Sequence, residues 1–80
     1  MEDVWAELIR GMRPGPLRAA CEARRLAGIE RYGRPLGRDL GLDWRREALE
    51  EILDAAVYLQ AGGYTRSALC TLQVAEILCQ

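Results

Sequence analysis

The sequence predicts an all-α protein, a three to four helix bundle with an antiparallel helix pair at its centre, forming one domain over residues 1–80 and completed by oligomerisation. Three observations predict it. Apolar residues recur at the 3, 4, 7 spacing of one helix face in successive segments. Proline and glycine clusters punctuate those segments. The chain is also short, 80 residues, and a domain of about 60 residues buries only about 60% of its unfolded surface. Apolar surface left over on any helix is then expected to face another subunit.

The segment Met1 to Met12 reads as a short helix, with Val4, Trp5, Leu8, Ile9 and Met12 along one face and Glu2 and Asp3 suited to its N-terminus. Arg13-Pro14-Gly15-Pro16 stops it, and Pro16 is well placed to open a second helix to Arg31. Trp5 is expected as a core or interface anchor. Tyr32 to Asp43, YGRPLGRDLGLD, is too rich in glycine and proline for a long regular element and reads as a loop. Asp43 is the expected N-cap of a long third helix, Trp44 to Ala61, ended by Gly62-Gly63. Thr65 or Ser67 then starts a fourth helix to about Cys79. That helix is apolar on most sides, which predicts burial and hence a dimer or tetramer.

Composition narrows the chemistry. The net charge is −1, so neither specific nucleic-acid binding nor a polybasic membrane anchor is expected. Every basic residue is arginine and there is no histidine. Ser-His and Cys-His catalysis in their usual forms are therefore excluded, and any metal must be held by oxygen or sulfur. Cys21, Cys70 and Cys79 show no CxxC spacing and are expected as free thiols. No signal peptide or long apolar run is present, which predicts a soluble, cytoplasmic protein.

The third helix carries the most distinctive pattern. Glu47, Glu50, Glu51 and Asp54 stand at i, i+3, i+4 and i+7, within about 100° of arc, opposite an apolar face. Like charges at these spacings oppose each other by roughly 0.2–0.5 kcal/mol per pair. The pairs 47–50, 47–51, 50–54 and 51–54 together cost about 1–2 kcal/mol. A charged outer face and the helix dipole account for acids near the N-terminus, but Asp54 sits beyond the dipole's reach. A divalent cation or a facing row of arginines would remove the penalty. The loop holds Arg34 and Arg38, with Arg31 and Tyr32 at its edge. Guanidinium groups on such a loop suit phosphate, whose oxygens the planar fork binds two at a time. They equally suit helix C-caps or pairing with Asp39 and Asp43.

The segment Glu50-Glu51-Ile52-Leu53-Asp54-Ala55-Ala56-Val57-Tyr58-Leu59 resembles the metal-binding helix of the MazG-like, all-α nucleoside triphosphate pyrophosphohydrolases. Glu51-x-x-Asp54 matches the E-x-x-D half of that family's motif, and the RYGRPL loop before an acidic helix is similar to very small phage-encoded proteins with the same order. The resemblance covers about Pro16 to Ala61. It implies that Glu47, Glu50, Glu51 and Asp54 hold Mg²⁺ (or Mn²⁺), that Glu47 or Glu50 takes a proton from the attacking water, and that Arg31, Arg34 and Arg38 neutralise an NTP or dNTP. Tyr32 would stack on the base, and cleavage would fall between the α and β phosphates. The second helix lacks the family's E-x-x-E and offers only Glu22 and Glu30; the E-x-x-E here is Glu47-x-x-Glu50, on the same helix as the E-x-x-D. All ligands then come from one helix, or Glu22 or Glu30 completes the site, or a second subunit does, or the site is degenerate. The alternative expectation is a small helical interaction or regulatory protein whose acidic stripe pairs with arginines of a partner, or with Arg18, Arg24 or Arg25 of its own second helix.

Overall fold

The computed structural model describes the whole chain, Met1–Gln80, and is all-helical with no strand. Its helices are α1 (Val4–Arg10), α2 (Pro16–Tyr32), α3 (Trp44–Ala61) and α4 (Thr65–Leu78), with a single 3-10 turn at Arg38–Leu40. The residues gather into two compact units, Met1–Gly41 and Leu42–Gln80.

In the first unit, α1 is shorter than its apolar spacing predicts. Asp3 takes an extended backbone and its carboxylate accepts the Ala6 N–H at 2.9 Å, so the helix starts at Val4. Glu2 is thereby left outside the helix, free to reach the loop. At the other end the Met12 N–H bonds the Ile9 carbonyl at 2.9 Å, and the Arg18 side chain donates to the Met12 carbonyl at 2.8 Å, fastening the turn into α2. Pro16 opens α2 as expected. Gly33 ends it at φ +76°, where its N–H reaches the Ile29 carbonyl at 2.7 Å. A side chain resists that left-handed conformation, which is why glycine suits the position. The following loop returns to α1 through the Val4 N–H, which bonds the Leu36 carbonyl at 2.9 Å.

In the second unit, Asp43 caps α3 through the Arg46 N–H at 3.2 Å. The helix runs to Ala61, the predicted end. Gly62, Gly63 and Tyr64 turn the chain into α4, which packs against α3. Arg45, at the start of α3, donates from Nε to the carbonyl of Leu78 at the end of α4. Ala56, Ala68 and Ala75 are buried in this unit. With methyl side chains at those positions two helix backbones can approach closely.

The expectation of a buried fourth helix is met only along one stripe. Ala68 and Ala75 are inside, while Leu69, Val74 and Ile77 are half or more exposed, at 58%, 50% and 67%. No helix of the chain is long and apolar enough to cross a membrane.

Candidate functional site

The four carboxylates of α3 are all exposed. Within their own unit only Glu50 meets a cation, the Arg46 guanidinium one turn earlier at 3.4 Å. An exposed pair at this spacing contributes a few tenths of a kcal/mol, too little to offset four repulsive pairs. No three acidic or cysteine side chains of the chain lie close enough together to hold a metal ion.

The loop arginines fare differently from one another. Arg38 is held by the first turn of the chain. Its Nη1 lies 2.9 Å from Glu2 and 2.7 Å from Glu7, its Nη2 lies 3.0 Å from Glu7, and its backbone N–H also meets the Glu2 carboxylate. The bonds from Glu7, then Glu2, raise the guanidinium's pKa above its ordinary value. In return the Arg38 backbone N–H and then its side chain lower Glu2, and the Arg38 side chain lowers Glu7. Arg38 thus fastens the loop to α1.

Arg34 pairs with Asp39 at 2.7 Å and holds that carboxyl below its usual range. Gly37 is buried beneath this pair. A Cβ there would come within 2.7 Å of Asp39 Oδ1 and 3.0 Å of Arg34 Nη2, so any larger residue would have to displace the ends of that pair. Arg31 lies over the ring of Tyr32, 5.2 Å from its centroid, and has no carboxylate partner within the unit.

Arg31, Tyr32 and Arg34 come together at one cleft of about 620 Å³ in the first unit, whereas Arg38 does not line it. The cleft adds residues that the sequence reading left elsewhere, notably Trp5 from α1 and Arg24 and Arg25 from α2. Its apolar walls include Ile29, Leu36 and Leu40, and no carboxylate lines it. Arg25 is already engaged, at 2.9 Å from Asp3 and 2.8 Å from Glu22, which raises its pKa. Arg24, like Arg31, has no carboxylate partner within the unit. A signal for this row was present in the sequence. Arg24, Ala27, Gly28 and Arg31 stand at i, i+3, i+4 and i+7, the spacing of one helix surface, and all four line the cleft.

Comparison of the chain with protein-family models, characterised proteins and solved structures finds no match.

Proposed function

We propose that this chain is a non-catalytic helical interaction protein that works as a homo-oligomer built around an antiparallel α3–α4 pair. Burial carries the reading. Ile9, Ala56, Ala68 and Ala75 are the buried apolar residues, while seventeen large apolar side chains, from Met1 to Ile77, stay exposed. Scattered exposed hydrophobics are ordinary, but this many on 80 residues suit a chain whose core is finished by association. A reducing cytoplasm suits the unpaired Cys21, Cys70 and Cys79. Sedimentation equilibrium of the full chain tests this. The expected mass is that of a dimer or higher species that dissociates on dilution, and a monomer at every concentration overturns the reading.

A second reading is favoured by the cleft. Its collection of Arg31, Tyr32 and Arg34 with Trp5 is suited to an aromatic, anionic molecule such as an NTP or dNTP. On that reading the protein is a Mg²⁺- or Mn²⁺-dependent pyrophosphohydrolase of the MazG-like type, with its carboxylates completed by another copy. Pyrophosphate release from any standard nucleotide, together with a metal-dependent rise in Tm that Glu51→Gln and Asp54→Asn abolish, would replace the first reading with this one.

A further inference from the structure

Two rows of matching length face outward with opposite charge. On α2, Arg24 and Arg31 stand seven residues apart with Ala27 and Gly28 between them, along a cleft that no carboxylate lines. On α3, Glu47 and Asp54 also stand seven apart, with Glu50 and Glu51 between them. At 1.5 Å per residue each row spans about 10.5 Å. The cationic row has no anionic partner within its unit, and the acidic row has only Arg46.

Gly28 adds a steric argument. A glycine in a helix interior is less favourable than alanine, yet a Cβ at Gly28 would meet nothing within 4 Å. Packing inside the fold does not explain the missing side chain; the close approach of another backbone does. The acidic row is bordered by exposed apolar side chains, Leu53 at 48%, Val57 at 65% and Tyr58 at 73%. These would meet the cleft's walls of Trp5, Leu36 and Leu40. An amphipathic helix laid in an apolar groove with charge at its edge is a familiar mode of recognition.

We infer that the occupant of the α2 cleft is α3 of a second copy, with the carboxylates of Glu47, Glu50, Glu51 and Asp54 meeting Arg24 and Arg31. This rests on the reading of the chain as a self-associating interaction protein and names the surface that does it. The arrangement is self-complementary, because each copy owns one cleft and one acidic helix. A pair in which the α3 of each copy fills the cleft of the other makes two equivalent contacts.

Charge exchange in the full chain tests the surface by sedimentation. Glu51→Arg/Asp54→Arg and, separately, Arg24→Glu/Arg31→Glu are each expected to weaken association by about tenfold or more, since like charges then face each other in both contacts. An equimolar mixture of the two variants regains association, because both contacts of the mixed pair are attractive again. Gly28→Leu, which has open space in its own fold, blocks docking without changing charge. Wild-type association that persists in both charge variants, or a mixture that fails to recover, overturns the α2–α3 surface while leaving self-association standing. The same charge dependence in a species that stays monomeric places the pairing within one chain and overturns the second copy. Wild-type protein that is monomeric with no charge dependence removes the broader reading as well.

Discussion

The two halves of the chain are held by different physics. In Met1–Gly41 the long-range links are polar, with Asp3 to Arg25 and Arg38 to Glu2 and Glu7, beside a single buried apolar anchor, Ile9. In Leu42–Gln80 two helices pack through Ala56, Ala68 and Ala75, and the one ion pair, Arg46 with Glu50, is local to its helix. The first unit should therefore respond to charge and the second to volume. Each contains one tryptophan, Trp5 or Trp44. The variants Trp44→Phe and Trp5→Phe allow each unit to be followed by its own fluorescence.

The largest effect is expected at Ile9, which is 4% exposed and is the first unit's sole buried apolar residue. Ile9→Ala should cost about 2–4 kcal/mol, read from urea unfolding at Trp5 in the Trp44→Phe background. Equal loss at Trp44 in the Trp5→Phe background would show that the two units unfold as one and dissolve the contrast. Next in size is the alanine seam of the second unit. Ala68→Leu should destabilise by about 1–3 kcal/mol through overpacking, and the loss should appear at Trp44. A tolerated leucine would mean that α3 and α4 are less closely packed than the burial of Ala68 implies.

Acid separates the units by a different route. Glu2, Asp3, Glu7 and Asp39 all have lowered pKa values in the folded chain. The leading causes are respectively the Arg38 backbone N–H, the Ala6 backbone N–H, the Arg38 side chain and the Arg34 side chain. A carboxylate lowered in the folded state contributes its stability in full above the ordinary carboxylate range of about 4. That contribution is lost as pH falls through the lowered folded value. The Trp5 signal should therefore report loss of structure on acidification below about pH 4. Replacing Arg38 with glutamine should weaken that acid dependence chiefly through Glu7, which loses its guanidinium partner, while Glu2 keeps the backbone N–H of residue 38. An unchanged acid profile in Arg38→Gln would show that these bonds do not hold the loop.

How far the fold could be read in advance follows the same division. The α3 boundaries, the Asp43 cap and the Gly62-Gly63 stop are local matters of propensity and capping, and each stands where the residues predict. The start of α1 falls later than the spacing predicts, because Asp3 caps the helix rather than joining its first turn, and both Glu2 and Asp3 are engaged by arginines more than twenty positions away in sequence. Spacing along one segment carries no information about such partners. The cleft shows the same limit. Arg31, Tyr32 and Arg34 are legible as neighbours in sequence, but Arg38 is taken up by Glu2 and Glu7, and Trp5 lines the cleft beside a loop that is bonded back to Val4 through Leu36. The Arg24–Arg31 row was visible at helical spacing, yet nothing local distinguished it from an ordinary solvated face.

The smallest expected effects are also the most discriminating, because they change sign with the state of the chain. Glu51 takes part in two of the repulsive pairs on α3, with Glu47 and with Asp54. Glu51→Gln should therefore stabilise the dilute chain by about 0.4–1 kcal/mol, two pairs at the usual helix-surface value. The same substitution removes a carboxylate from the face proposed to meet Arg24 and Arg31, so it should weaken association in concentrated solution. Gly28→Ala gives the matching test on α2: a gain of about 0.5–1 kcal/mol in the dilute chain from helix propensity, against weaker association from the added methyl in the cleft. A repulsive charge row and a bare glycine are both costs to an isolated helix. Opposite signs in the two assays would show that each cost is recovered at the interface between copies, while matching signs would show that the two helices never meet.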